Sequence, residues 1–133
     1  TAAPRIELDR LGAITLFVDD VARSRTWYAT AFGRTEIFSD EVSVVFRFGQ
    51  VVVNLLLRSE ADELISPAVV AATGAPSTFQ LTVSVDDLDH ALRELRTRGV
   101  QPINGPIDRP WGQRTACVRD PDGHVWEFAQ TIS

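Results

Sequence analysis

Ala13-Ile14-Thr15-Leu16-Phe17-Val18-Asp19-Asp20-Val21 has a counterpart 67 residues later, Gln80-Leu81-Thr82-Val83-Ser84-Val85-Asp86-Asp87-Leu88. The offset is about half of the 133-residue chain, so the sequence reads as a duplicated unit. Each copy opens with alternating apolar and polar residues. Ile14, Leu16 and Val18 share one strand face in the first copy; Leu81, Val83 and Val85 share one in the second. Each copy continues into a helical stretch that ends in glycine, about Val21 to Phe32 before Gly33 and Leu88 to Arg98 before Gly99. Asp at the helix start supplies an N-terminal cap, and glycine just past the end tolerates the left-handed backbone that closes a helix. Leu88, Ala91, Leu92 and Leu95 form an apolar stripe at helical spacing.

Three strand-like segments follow each helix. They are about Arg34–Phe38, Val42–Phe48 and Val51–Leu57 in the first half, and Gln101–Gly105, Arg114–Arg119 and His124–Ala129 in the second. Asp120-Pro121-Asp122-Gly123 reads as the turn of the last hairpin. The expected organisation is a single domain, 1–133, of two β-α-β-β-β modules, 10–58 and 78–133. A linker, 59–77, joins them, with a short helix near Glu60–Ile65 or Ala68–Ala72. One helix and one four-stranded sheet make too little core to stand alone, so the modules must share one. The expected fold class is α+β: two tandem modules with concave sheets facing a shared cavity and helices outside. The concave face then carries Thr15, Phe17, Gln80, Thr82 and Ser84, which alternate with the apolar set.

Composition narrows the function. Hydrophobic residues make up 44% and charged residues 23%, enough apolar residue for a folded core. The apolar runs are too short to span a bilayer. Eighteen acidic residues against thirteen basic ones, all Arg, give a net charge of −5. That balance is a poor match for nucleic acid or an anionic membrane surface, so neither is expected as a partner. Cys117 is the only cysteine, which excludes an intrachain disulfide and a cysteine-rich zinc site. The expected location is cytoplasmic. No basic-then-apolar leader opens the chain, and a start at Thr1 with no Met anywhere suggests a trimmed N-terminus.

Several motifs together resemble the vicinal oxygen chelate superfamily of glyoxalases, bleomycin-resistance proteins and extradiol dioxygenases. They are Leu16-Phe17-Val18-Asp19-Asp20, Ser24-Arg25-Thr26-Trp27-Tyr28, Phe32-Gly33, Val85-Asp86-Asp87-Leu88-Asp89, Pro110-Trp111-Gly112-Gln113-Arg114 and Asp120-Pro121-Asp122-Gly123-His124-Val125-Trp126-Glu127. The resemblance spans nearly the whole chain. It implies paired β-α-β-β-β modules, a homodimer and a ligand held on the concave sheets. Metal-using members carry His or Gln in the first strand of each half and Glu in the last strand. The matching positions here are Ala13, Gln80, Glu127 and, depending on register, Val53 or Asn54. Ala13 has no donor, an amide is a weak ligand, and only one anion remains, so neither a metal nor a cofactor is expected. His90 and His124 are expected to face solvent and to serve a turn, respectively.

Glu127 is the candidate catalytic residue, as a ligand contact, a residual metal ligand or a general base; its alternative is a sheet-face carboxylate bonded to Gln80, Thr82 or Arg114. The expected ligand-binding set is Thr15, Phe17, Phe46, Phe48, Gln80, Thr82, Ser84, Trp111 and Glu127. Arg47 or Arg114 would complete a sandwich on a flat ligand. Trp27, Tyr28, Phe32, Trp126 and Phe128 are expected in the core, and Cys117 as a buried inert thiol. The expected function is small-molecule binding of the bleomycin-resistance type, with an aromatic or amphipathic metabolite or antibiotic as ligand. The alternative is a lyase, isomerase or dioxygenase of the same superfamily that uses Glu127 with a weak metal or none.

Overall fold

The structure is a computed structural model and describes residues 6–133. The duplication is visible at once in the chain order. The first unit runs β1 (Ala13–Val18), α1 (Val21–Ala31), β2 (Glu36–Ser39), β3 (Ser43–Phe48) and β4 (Val51–Leu57). A 3-10 turn, Arg58–Glu60, leads into α2 (Ala61–Ile65), the first of the two places where a linker helix was expected. Ala68–Ala72 forms no helix. The second unit runs β5 (Gln80–Ser84), α3 (Leu88–Thr97), β6 (Asn104–Arg109), β7 (Gln113–Arg119) and β8 (Val125–Thr131). The fold is α+β, with two four-stranded mixed sheets ordered β1-β4-β3-β2 and β5-β8-β7-β6.

The second Asp of each repeat does the same work twice. Asp20 Oδ1 accepts from the Arg23 N–H at 3.0 Å, and Asp87 Oδ1 accepts from the His90 N–H at 3.0 Å. Each satisfies one of the unpaired donors in the first turn of its helix. The buried stripe is Ser24, Tyr28 and Ala31 on α1, and Leu88, Leu92 and Leu95 on α3.

Register then fixes the faces. β1 pairs parallel with β4 and β5 pairs parallel with β8, with β3 and β7 antiparallel beyond them. Val44, Phe46 and Phe48 therefore lie on the face of Leu16 and Val53, not on the face of Thr15. Phe46 is fully buried, and Phe48 stacks on Trp126 with centroids 5.2 Å apart. The expectation that Phe46 and Phe48 wall the concave face is corrected. They alternate with Val45 and Arg47, and it is Val45 and Arg47 that lie on that face.

A single apolar core joins the two units. Tyr28 and Phe32 of the first half meet Trp126 of the second with ring centroids 5.9 and 5.2 Å apart, and Phe32 meets Phe128 at 5.7 Å. The helix-bearing faces of both sheets thus converge on one aromatic cluster, with the C-terminal end of α1 inserted into it. Within one chain it is these faces that share an interior, while Gln80, Thr82 and Ser84 on the opposite face of β5 are exposed. The reason is area: the aromatic rings concentrate the apolar surface that gains most from leaving water.

The turn Asp120-Pro121-Asp122-Gly123 clamps this junction. The Asp122 carboxylate accepts from the Asp19 N–H at 2.9 Å, Arg23 Nη2 at 3.1 Å and Ser24 Oγ at 3.3 Å. Asp120 accepts from Tyr28 Oη at 2.6 Å and from the N–H groups of Asp122 and His124. Trp126 Nε1 donates to the same Tyr28 oxygen at 2.9 Å. A motif that reads as a hairpin turn in the sequence also holds α1 of the other module.

Candidate functional site

The candidate site is built on the sheet faces opposite the core. In the second sheet, register lines up Thr82, Glu127, Cys117 and Asn104 as one row across four strands. Thr82 Oγ1 donates to Glu127 Oε1 at 3.0 Å. Glu127 is half-buried and so keeps contact with solvent. The Asn104 side-chain oxygen accepts from the Cys117 N–H at 3.1 Å, and Cys117 Sγ sits 3.9 Å from Gln80 Oε1. Burial first, and then the negative charge of Glu127, push the Cys117 thiol up. A thiol shifted that way stays protonated and is a poor nucleophile.

In the first sheet the equivalent row is Thr15, Asn54, Val45 and Phe38. Thr15 faces Asn54 as Thr82 faces Glu127. Asn54 is therefore the first-half counterpart of Glu127, which resolves the choice left open between Asn54 and Val53; Val53 is a core residue. Ala13 faces Val52 as Gln80 faces Val125, so Ala13 and Gln80 are also counterparts. The Asn54 Oδ1 is buried without a hydrogen-bond partner.

The remaining expected residues fall as follows. Thr15 and Phe17 lie half-buried on the polar face of β1, and Ser84 lies on the exposed face of β5. Trp111, 65% exposed, projects from the loop between β6 and β7. Its Nε1 donates to Gln113 Oε1 at 3.1 Å, and the Arg109 guanidinium stands 5.9 Å from its ring centre. Gln113 and Arg109 both belong to the Glu127 face, so Trp111 is tethered at one end of it. Arg109, whose Nε donates to Thr115 Oγ1 at 3.0 Å, is a cation on this face that strand alternation alone did not single out. Its signal was the irregular pairing of β6, which no sequence pattern announces. Arg114 is on the other face and is bonded to Asp108 at 2.6 Å, so it does not serve the site. His124 Nε2 lies 3.0 Å from the Phe17 carbonyl oxygen and ties the turn before β8 to β1, while His90 is exposed on α3.

The four positions that would have to hold a divalent ion are Ala13, Asn54, Gln80 and Glu127. They offer one methyl, two amides and one carboxylate, and the carboxylate is already bonded to Thr82. Among the described residues no three His, Cys, Asp or Glu side chains converge. This donor set does not fit a catalytic metal.

The sequence profile of the Glyoxalase/Bleomycin resistance protein/Dioxygenase superfamily matches residues 10–128. The chain belongs to this superfamily. Among its relatives, the uncharacterized protein YraH of Bacillus subtilis is 30% identical over 127 residues, covering 92% of this chain and 99% of that protein. An uncharacterized protein of Mycobacterium tuberculosis is 26% identical over 126 residues, covering 88% of this chain and 72% of its own length. Solved structures agree on the fold of the superfamily. A glyoxalase/bleomycin resistance protein/dioxygenase from Nocardioides superposes with a TM-score of 0.85 at 22% identity, over 97% of this chain and 87% of that one. Lactoylglutathione lyase from Agrobacterium tumefaciens gives 0.70 at 20% identity, over 92% and 94%. No helix of the described residues is long and apolar enough to cross a membrane.

Proposed function

We propose that this protein binds a small aromatic or amphipathic molecule, a metabolite or an antibiotic, on the polar faces of its sheets. The observation that carries the reading is the donor set at the four equivalent positions. A carboxylate and two amides, one with a buried unpartnered oxygen, suit hydrogen bonding to a ligand and not chelation. An unsatisfied buried acceptor costs about 1–3 kcal/mol, and a turn of the Asn54 side chain toward a ligand N–H or O–H on the Thr15 face would recover it. Phe17 and Trp111 supply the flat apolar contacts that Phe46 and Phe48 do not. The exposed polar face of β5 supports a homodimer in which a second copy covers it and closes the cavity.

The test is a thermal-shift screen of flat cationic and hydroxylated ligands, followed by calorimetric titration of the hits against wild type and Glu127→Gln. A cationic hit should lose about tenfold in affinity with the variant, and a neutral isostere much less. Equal loss for both, or no hit that protects the fold, counts against the reading. Catalysis by the same face is the second reading, favoured by the solvent-accessible Glu127 carboxylate beside the Thr82 hydroxyl. It requires a lyase, isomerase or dioxygenase activity that Glu127→Gln abolishes while binding persists.

A further inference from the structure

On the core side of the sheets, far from the Glu127 row in character, a cleft of about 310 Å³ opens between the two modules. Its floor is apolar: Phe32 and Phe48 from the first module, and Val83 and Phe128 from the second. Its mouth is charged, with Arg34, Arg98 and Glu94. The volume is within the range of small-molecule sites, and an apolar floor with few polar groups at one end is their usual composition.

The two arginines are held differently. Arg98 Nη1 donates to the Ala31 carbonyl at 3.0 Å, at the C-terminal end of α1, and its Nη2 lies 3.7 Å from Glu94. Its guanidinium passes beside Gly33, whose left-handed backbone (φ +61°) carries the chain to Arg34; a Cβ at Gly33 would lie 3.6 Å from Arg98 Nη1. Both cations therefore stand at the same mouth. Arg34 makes no ion pair among the described residues, and its guanidinium lies 5.8 Å from the centre of the Phe48 ring. In a chain of net charge −5, an arginine without a carboxylate partner at the mouth of an apolar cleft has unused capacity for an anion. Glu94 offsets only part of the positive charge, because at 3.7 Å it is a loose partner of Arg98.

We infer that the cleft between the modules is a second binding site, for a small aromatic carboxylate whose ring lies on Phe32, Phe48 and Phe128 and whose carboxylate meets Arg34 and Arg98. A flat ring gains edge and face contacts with the three phenyl groups. A carboxylate gains the paired N–H geometry that guanidinium offers and ammonium does not. The site does not depend on the reading of the Glu127 face.

The probe is 2-naphthoate, titrated against the full chain at low ionic strength, with 2-naphthamide as its uncharged isostere. NMR should show shifts at the Val83 and Ala91 methyl groups and not at Thr82 or Glu127. The amide should bind about tenfold more weakly or worse. Arg34→Gln, an exposed change with no ion pair to lose, should weaken naphthoate by about tenfold and leave thermal stability in place. Glu94→Gln should tighten it by roughly threefold through removal of a like charge. Glu127→Gln should leave naphthoate affinity as it is, which separates this site from the one proposed above. Shifts confined to the Thr82–Glu127 face, or an Arg34→Gln affinity within about twofold of wild type, would overturn the assignment.

Discussion

Asp120 and Tyr28 show how one buried pair sets a pH response. Burial pushes the Asp120 carboxyl up from 3.8, outweighing the pull of His124 and of the bonds from Tyr28 and the backbone. Burial beside that carboxylate also drives the Tyr28 hydroxyl far up, so it stays a donor. A carboxyl raised in the folded state holds protons there that the unfolded chain has released. Its contribution to stability therefore falls as pH rises from 3.8 through the raised value. Four exposed or nearly exposed carboxylates act in the opposite sense. Asp19 is held down by Arg58, Glu36 by Ser39 and then Arg25, Asp40 by the Val42 N–H, and Asp108 by Arg114. Their contribution is present above the unfolded values and lost on acidification below them. Asp120→Asn should thus flatten the falling limb just above pH 3.8 and leave the acid limb in place. Urea midpoints from about pH 3 to pH 7 would read this, and an unaltered falling limb would refute it. On the face proposed to bind the ligand, Trp111→Ala should weaken binding by about tenfold and leave the fold intact, because an exposed loop Trp carries little of the core. Fluorescence titration and thermal unfolding, run side by side, separate the two effects.

Among the elements, β6 departs furthest from its sequence reading. The segment expected at Gln101–Gly105 pairs instead from Asn104 to Arg109, with an irregularity between Asn104 and Ile107. Gly105, at φ +86°, sits against β7, where an added Cβ would lie 2.8 Å from Ala116 Cα and closer still to the Thr115 carbonyl oxygen. A helix-cap or turn glycine can often be replaced at modest cost, but this one faces immovable backbone. Gly105→Ala should therefore cost about 2–4 kcal/mol. It should also displace Asn104 from the Cys117 N–H. Denaturant unfolding and the Cys117 amide resonance test both claims; a loss below roughly 1 kcal/mol would show that the strand edge gives way easily. By contrast, β4 spans Val51–Leu57 as its β-branched and leucine run indicates, and α1 and α3 begin at the caps the repeat supplies.

For the molecule as a whole, the two modules are joined by an aromatic interior and by the Asp120–Asp122 clamp, and their polar faces are left open. Ile37, Phe38, Ile103, Ile107 and Trp111, on or next to the edge strands, are between 37% and 65% exposed. Apolar side chains beside a polar sheet face are what a second copy would cover. Light scattering at micromolar concentration should therefore give twice the 14.7 kDa chain mass. A mass equal to one chain would remove the homodimer and the closed cavity proposed with it, but not the intermodule cleft, which one chain builds alone.

The superfamily was legible as a resemblance carried by motifs spread along the chain; local pattern by itself determined the duplication, the caps at Asp20 and Asp87, and the strand faces of β1 and β5. Each depends on residues a few positions apart, where period and capping chemistry operate. Alternation put Thr82 and Glu127 on the polar faces of their strands, the resemblance marked Glu127 as a site residue, and strand pairing chose Thr82 as its partner over Gln80 and Arg114. Pairing between distant strands decided the rest. It put Asn54 opposite Thr15, sent Phe46 and Phe48 to the core, and brought Arg109 onto the Glu127 face through an irregular β6. It also turned Asp122 from a hairpin residue into a ligand for the helix of the other module. A shift of one residue in register reverses the face of every side chain on a strand, and that register is set by partners far away in sequence.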